Sequence, residues 1–185
     1  MKKILNKSLG QINFAVIDLE TTGFSALHDS VIEVAAVKVK AGKIEDKFES
    51  LIYTDFVPYY ATRVHGINVD MLMDAPTLNT VRNQFCEFVK DCVLVGHNIK
   101  SFDLPFLCND FDVNANAYCV DTLLMSRNLF SCERSHKLEK VAKRLGIKNH
   151  NYHRALDDAL VTAKVFLKFL KQGKNKFKIL KDIIA

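Results

Sequence analysis

A short apolar run near the start of the chain ends abruptly in two carboxylates, and this feature constrains the fold most. The run covers residues 14–17, and Asp18 and Glu20 follow it with Leu19 between them. A run that is apolar on both faces and contains β-branched residues is typical of a buried, central strand. Because side chains alternate across a strand, Asp18 and Glu20 project from the same face. We therefore expect two neighbouring carboxylates at the end of a central strand.

Two carboxylates in such a position repel each other and lose hydration. They need a cation, a proton or a basic partner, unless the strand frays and both acids are solvated. The strand alone does not decide between these alternatives, so the rest of the chain has to.

The composition predicts one domain. The chain has 185 residues, of which 49% are hydrophobic, which is enough for a full core. We expect a single domain over residues 1–185, with a core of about residues 12–171 and a short basic tail over residues 172–185. No internal repeat, low-complexity tract or linker interrupts it.

The cysteines and the N-terminus indicate a cytoplasmic protein. The five cysteines are odd in number and lack the close paired spacing of a zinc site, so we expect reduced core thiols. Residues 1–7 are basic but contain no apolar segment of the signal-peptide kind, and no run is long enough to span a bilayer. We therefore expect neither secretion nor membrane insertion.

The order of elements predicts an α/β fold with a mixed sheet. After the first strand, we expect an antiparallel meander over residues 31–39 and 44–53, then short parallel strands at 92–95 and 118–120. Helices are expected from about residue 76, after Ser101, over 123–129, after Ser135 and over 154–170, with Ser101 and Ser135 as N-caps. Residues 59–74 are expected to form a loop with short helical turns. Helices should therefore flank a five-stranded sheet.

Three further acids stand where predicted elements begin or end. Asp103 begins a helix after the Gly-His-Asn turn at 96–98, at the carboxyl end of a buried strand, where open α/β sheets bind their ligands. The alternative is that it only complements the helix dipole. Asp158 lies on the more buried row of the last long helix, whereas Asp157 shares a solvated row with lysines. Asp121 has the position of a helix cap, and we interpret it as structural.

His153 precedes Asp158 by five residues, which span about 140° on an α-helix. The two share a site only if His153 lies outside the regular helix; otherwise it belongs to a polar loop with His150 and Tyr152. A histidine beside metal-bound carboxylates can act as a general base. Four carboxylates with a histidine favour Mg²⁺ or Mn²⁺ over zinc. Such acid-rich sites suit two metal ions that cleave a phosphodiester.

Basic residues crowd the C-terminal end of the chain, whose net charge is +5. They either form a solvated helix face or attract a nucleic-acid backbone towards the acidic site. These residues are Lys164, Lys168, Lys171, Lys174, Lys176, Lys178 and Lys181.

Three motifs resemble those of the DEDDh 3′–5′ exonucleases. They are Asp-Leu-Glu-Thr-Thr-Gly at 18–23, Gly-His-Asn at 96–98 followed by Phe-Asp at 102–103, and His-Arg-Ala-Leu-Asp-Asp at 153–158. Within this family the chain most resembles the proofreading epsilon subunit of bacterial DNA polymerase III and related stand-alone exonucleases. The resemblance covers residues 12–171 and implies a ribonuclease H-like fold.

The resemblance also implies the roles of individual residues. Asp18, Glu20, Asp103 and Asp158 would hold two divalent cations, Mg²⁺ or Mn²⁺, and His153 would deprotonate the attacking water. The resemblance implies a pocket for the 3′-terminal nucleotide, in which Ile67 would wedge against the base; core packing is the alternative for Ile67 and Phe102. The implied pocket residues are Thr21, Thr22, Gly23, His65, Ile67, Asn98 and Phe102.

Three functions remain open. The first is release of nucleoside 5′-monophosphates from single-stranded or frayed 3′ ends of DNA, in proofreading or repair, with a DNA polymerase catalytic subunit as an implied partner. The second is the same chemistry on RNA, in maturation or turnover. The third is an inactive nucleic-acid-binding module, which the retention of four repelling acids argues against. The chain is either a complete small exonuclease or the catalytic part of a longer protein.

Overall fold

A five-stranded mixed sheet forms the centre of the computed structural model, which describes residues 2–149 and 153–184. Its strands are β1 (Asn13–Thr21), β2 (Val31–Lys40), β3 (Lys43–Leu51), β4 (Val93–Gly96) and β5 (Cys119–Asp121). The strand order is β3-β2-β1-β4-β5, with antiparallel pairing on the β2 side of β1 and parallel pairing on the β4 side. The predicted mixed sheet and the central position of the first strand are confirmed.

Helices cover both faces of the sheet. They are α1 (Lys2–Leu5), α2 (Tyr59–His65), α3 (Leu78–Val89), α4 (Asp103–Asp110), α5 (Thr122–Leu129), α6 (Leu138–Arg144) and α7 (Ala155–Gln172). Short 3₁₀ turns lie at Leu9–Gln11, Val69–Leu72 and Leu180–Asp182. Within the described ranges, every helix is too short or too polar to cross a bilayer.

The alternation of side chains along β1 divides the core into two layers. Phe14 and Val16 pack in the cluster that contains α7, and the ring centroids of Phe14 and Phe166 lie 5.0 Å apart. Ala15 and Ile17 pack in the other cluster, with residues of α3 and α4. Burial of a phenylalanine such as Phe14 stabilises the fold by roughly 1.5–3 kcal/mol. Because the alternation continues along the strand, the face of Phe14 and Val16 is also the face of Asp18 and Glu20.

Both predicted serine caps are wrong. The N-cap residues are Phe102 for α4 and Lys137 for α6, and neither side chain makes a capping hydrogen bond. Ser101 belongs to a tight turn before α4, in which its N–H donates to the carbonyl of Asn98 at 3.1 Å. The Ser135 carbonyl accepts a 3.3 Å hydrogen bond from Arg144, which places that serine in the loop before α6.

The two ends of the described chain pack together at the edge where β1 begins. Ser8 and Ile179 form an isolated β-bridge, and the N–H of Leu180 donates to the carbonyl of Lys7 at 3.1 Å. The Leu180 side chain is fully buried in the α7 layer. The C-terminal tail is therefore docked on the rest of the domain. All five cysteines are free thiols; Cys119 is buried, but Cys132 is exposed, so the expected core position is wrong for Cys132.

Candidate active site

The carboxyl end of β1 carries the predicted acidic cluster. Asp18 and Glu20 project from β1 towards the layer that contains α7, and both are half-buried. Asp158 lies in the first turn of α7, and Asp103 is the first residue of α4. Asp103 and Asp158 are 4% and 7% exposed, so both carboxyl groups are largely removed from water.

Glu20, His153 and Asp158 form a group suited to a metal ion. One ligand atom from each residue lies within 4.8 Å of those of the other two. His153 precedes the α7 N-cap, Arg154, and has a φ of +66°, so it stands outside the regular helix, as its spacing from Asp158 requires. The two carboxylates are ligands that suit Mg²⁺ and Mn²⁺, whereas an imidazole is more typical of zinc, copper and iron sites.

The Asp158 carboxylate is held by hydrogen bonds to both oxygens. Its Oδ2 accepts from the backbone N–H of His153 at 2.8 Å, and its Oδ1 accepts from Nδ2 of Asn149 at 3.1 Å. Because Asp158 is buried, these donors stabilise its charge and fix its orientation.

Burial is the main cause of a raised pKa for each of the four acids. The pKa of Asp18 is well above its ordinary value because of burial and the charges of Asp103, Asp158 and Glu20. Burial and then the charge of Glu33 raise the pKa of Glu20 to about 8, and burial raises that of Asp103 to about 7. Four acids that resist ionisation side by side are the donor set that divalent cations neutralise, so the residues present fit such ions.

A small apolar cavity of about 200 Å³ opens beside Glu20. The ring centroids of Phe24 and Phe102 lie 6.3 Å apart in an edge-to-face arrangement at this cavity. Four of the seven predicted pocket residues line it, namely Thr21, Gly23, His65 and Phe102. The other lining residues are Leu19, Glu20, Phe24, Tyr60, Ala61 and Val64.

The other three predicted pocket residues lie elsewhere. The Thr22 hydroxyl accepts from the N–H of Ser30 at 2.9 Å and so orders the loop after β1. Ile67 is fully buried against Ile32 and Leu72, which differs from the expected wedge at the cavity and agrees with the core-packing alternative. Asn98 has a φ of +72° and borders a different cleft.

Gly23 and His65 shape the cavity for separate reasons. A Cβ on Gly23 would lie 2.4 Å from the carboxylate of Asp29, which accepts from the N–H of Ser25 at 2.9 Å. A side chain at position 23 would therefore disrupt this turn. The Nδ1 of His65 accepts from the N–H of Ile67 at 3.0 Å, and burial lowers the pKa of His65, so the neutral ring carries its proton on Nε2. That Nε2 has no hydrogen-bond partner among the described residues.

A second, basic cleft of about 550 Å³ borders Asn98. Three exposed cations line it, Arg127, Arg134 and Lys137, and none forms an ion pair with an acid in the described part of the chain. The backbone N–H of Asn98 donates to Asp121 at 3.0 Å, and Asp121 also caps α5, as predicted. Asp121 thus ties the turn that borders the cleft to the start of α5.

The sequence interpretation did not identify several residues of this site. Phe24 and Tyr60 line the cavity although they are 87% and 59% exposed, and nothing in their spacing predicts this. Glu33 is buried beside Glu20 and forms an ion pair with Arg154. The sequence does contain an indication that Glu33 is paired, because an acid inside an apolar strand needs a partner.

Comparisons with known proteins agree with this geometry. The family model of the RNase_T exonucleases matches residues 15–166. DNA polymerase III subunit epsilon of Aquifex aeolicus is 36% identical over 165 residues, which cover 86% of this chain and 81% of that protein. DNA polymerase III PolC-type of Bacillus subtilis is 39% identical over 178 residues, which cover 92% of this chain and 12% of PolC. The chain thus spans about an eighth of the length of the PolC relatives.

Solved structures share the fold. Escherichia coli exonuclease I in complex with a dT13 oligonucleotide superposes with a TM-score of 0.77 at 17% identity, over 89% of this chain and 42% of that one. Exonuclease X in complex with 5′ overhanging duplex DNA gives a TM-score of 0.71 at 23% identity, over 87% and 93% of the two chains. The ribonuclease H-like fold that the motifs imply is confirmed. With the match over residues 15–166, the chain belongs to the RNase_T exonuclease family.

Proposed function

We propose that the chain is a 3′–5′ exonuclease that hydrolyses phosphodiester bonds at the 3′ ends of DNA and releases nucleoside 5′-monophosphates. The observation that carries this proposal is the meeting of Asp18, Glu20, Asp103 and Asp158 with His153 at one end of the sheet. In this proposal residues 1–185 act as one exonuclease domain, with their core in residues 12–171.

The four acids would hold two divalent cations, Mg²⁺ or Mn²⁺. When bound, such ions supply charge neutralisation at the scissile phosphate and acidify water. Asp158, whose two oxygens accept hydrogen bonds from His153 and Asn149, would present its carboxylate in a fixed orientation. His153 is exposed and next to Asp158 and Glu20, so its imidazole would take the proton from the attacking water.

The apolar cavity would hold the base of the 3′-terminal nucleotide. Its aromatic rings, Phe24 and Phe102, offer surfaces for stacking, and every base has a π-face, so the contact tolerates any sequence. Thr21, the last residue of β1, and Gly23, in the turn that follows, would contact the same nucleotide. His65, with its unpartnered Nε2–H, would donate a hydrogen bond to it.

The basic cleft would guide the nucleic-acid backbone. Arg127, Arg134 and Lys137 converge on a cleft that Asn98 borders, next to the turn that leads to Asp103. The C-terminal lysines are less suited to this role, since α7 leads away from the site. Lys171 follows Ala155 by 16 residues, which is about 24 Å along a helix. Lys168 donates to the Leu145 carbonyl at 2.6 Å and so joins α7 to the segment after α6.

The direct test is degradation of oligonucleotides labelled at the 5′ or the 3′ end. We expect a 5′-labelled DNA strand to shorten one nucleotide at a time with Mg²⁺ or Mn²⁺, and to stay intact with EDTA or in an Asp18→Asn variant. Equal shortening of the strand in all four conditions would show that the acidic cluster is not the active site. An inactive wild type that still binds the strand would instead support a binding module.

The same assay with RNA separates the two nuclease functions. The relatives named DNA polymerase III favour DNA as the substrate, and proofreading or repair as the role, with a polymerase catalytic subunit as partner. The alternative is RNA maturation or turnover, and much faster degradation of RNA than of DNA would favour it. The five free thiols suit a reducing compartment, and the cytoplasm is the proposed location.

A further inference from the structure

Glu33 brings a further carboxylate to the site, and its position needs an explanation. It is 3% exposed and lies directly opposite Glu20 in the antiparallel pairing of β1 and β2. Side chains of directly opposite residues point to the same face, and two like charges in that arrangement are destabilising. A buried acid at this position therefore requires a strong partner.

Arg154 is that partner. Its Nη2 donates to Oε1 of Glu33 at 2.7 Å, and its Nε lies 3.1 and 3.3 Å from Oε1 and Oε2. The backbone N–H of Ala155 donates to Oε2 at 2.8 Å. Arg154 is the N-cap residue of α7 but makes no capping hydrogen bond with its own side chain. Glu33 of β2 thus accepts a hydrogen bond from the N–H of Ala155, which has no acceptor within α7 because it lies in the first turn.

The two proposed active-site residues of this region flank Arg154. His153 immediately precedes it in a backbone conformation with a φ of +66°. The N–H of Asp158 donates to the carbonyl of Arg154 at 3.0 Å. A shift of Arg154 relative to β2 would therefore move both His153 and Asp158 relative to Glu20.

We propose that Glu33 and Arg154 are positioning residues that fix the start of α7 on the sheet, so that His153 and Asp158 meet Glu20 in register. The inference deepens the proposed function and rests on it. The two side chains act through their neighbours, because the Glu33 carboxylate is already engaged by the guanidinium and by the Ala155 N–H. Loss of Arg154 leaves the buried charge of Glu33 without its ion-pair partner, whereas loss of Glu33 leaves an Arg154 side chain that is 43% exposed and no longer fixed to β2.

The test is a double-mutant cycle of Glu33→Gln and Arg154→Gln, with Glu45→Gln, an exposed acid of β3, as the control. Affinity for Mn²⁺ is measured by calorimetry without nucleic acid, and kcat and KM are measured on a 5′-labelled DNA strand. We expect each single variant to weaken Mn²⁺ binding about 10-fold or more, the usual effect of losing a residue that orients metal ligands. The value of kcat should fall by a similar factor, with KM within about 3-fold of the wild type, and the double variant should be no worse than either single one.

A second double variant, Glu33→Leu with Arg154→Leu, separates positioning from stability. Removal of both charges leaves neither buried alone, so we expect a Tm near that of the wild type. Mn²⁺ binding and kcat should nevertheless stay reduced, because the Ala155 N–H has lost its acceptor. Wild-type Mn²⁺ affinity and kcat in this variant, or in both single variants, would overturn the inference.

The outcomes distinguish this inference from the proposed function. If the wild type is active and the Glu33 and Arg154 variants keep its Mn²⁺ affinity and kcat, only the positioning role is disproved. If the wild type binds Mn²⁺ but degrades no nucleic acid, the proposed function is disproved. Weaker Mn²⁺ binding in the Glu33 and Arg154 variants would still support the positioning role.

Discussion

The backbone N–H of His153 donates a 2.8 Å hydrogen bond to Oδ2 of Asp158. One turn of chain thus holds an exposed imidazole beside a buried carboxylate. The φ of +66° at His153 is part of this turn, and a non-glycine residue adopts that conformation at some energetic cost. This geometry fixes the position of the imidazole, so replacement of His153 tests its role directly.

We expect His153→Ala to lower kcat by about 10²- to 10⁴-fold, the usual contribution of a general base. Asp158→Asn should be at least as damaging, since it removes a charge from the acidic cluster. Single-turnover degradation of labelled DNA measures both effects. Asp157→Asn is the matched control, because this neighbour lies outside the cluster of Glu20, His153 and Asp158. Wild-type rates in His153→Ala would exclude its role as the base.

The raised pKa values predict that metal ions stabilise the protein more at high pH. Glu20 and Asp103 have pKa values of about 8 and about 7 in the folded protein, whereas both ionise near pH 4 in an unfolded chain. Between about pH 5 and 8 the folded state holds protons that the unfolded state has released. The free energy of unfolding in EDTA therefore falls as the pH rises.

Calorimetry in EDTA should show this fall as a decrease in Tm of about 5 °C or more between pH 5.5 and 8.5, since 1 kcal/mol shifts the Tm of a domain of this size by about 2–4 °C. Mn²⁺ should restore the Tm mainly at the higher pH. A Glu20→Gln variant should have a shallower pH dependence in EDTA. Identical slopes for this variant and the wild type would contradict the assignment.

The aromatic cavity predicts a defect in substrate binding. Phe24→Ala and Phe102→Ala should each raise KM for single-stranded DNA by about 5- to 150-fold, because stacking on an aromatic side chain contributes about 1–3 kcal/mol per base. Steady-state kinetics at several strand concentrations measures this. Phe56→Ala removes an exposed ring that does not line the cavity, and KM should not change. A similar rise in all three variants would argue against the cavity as the base pocket.

The basic cleft predicts a change in salt dependence. For single strands, the logarithm of affinity falls with the logarithm of salt concentration by about 0.7 per phosphate contact. Arg127→Ala or Arg134→Ala should therefore lower this slope by about 0.7, as measured by fluorescence anisotropy with EDTA present to block hydrolysis. The control is Lys171→Ala, an exposed cation near the far end of α7. If Lys171→Ala lowers the slope and the cleft variants do not, the strand follows the C-terminal lysines instead.

The central strand and most of the acidic cluster could be predicted from the sequence because their signals are local. The alternation of β1 places Asp18 and Glu20 on one face, and the helical period places Asp158 on the buried side of α7. The order of strands follows from the meander and the later alternation of helices and strands. Such patterns arise from the periodicity of strands and helices over a few neighbouring residues, so they can be read directly from the sequence.

The remainder of the site depends on contacts between distant segments. Ile67 follows a His-Gly pair, but whether it faces a ligand or the core depends on Ile32 and Leu72, which no local pattern brings near. Ser101 and Ser135 have the side chains of helix caps, yet the turns before α4 and α6 place them outside the helices. The pairing of Glu33 with Arg154 joins residues 121 positions apart, and only the solitary charge in an apolar strand hints at it.

The β-bridge between Ser8 and Ile179 has a consequence for how such a domain can be connected to other polypeptide. Both ends of the described chain leave the sheet where β1 begins, whereas the carboxylates gather near where it ends. A nine-residue strand separates the two edges by about 30 Å. Polypeptide joined at either end would begin on the side of the domain opposite to the acidic cluster. The domain could thus be fused to, or inserted in, a larger protein without covering the acidic cluster.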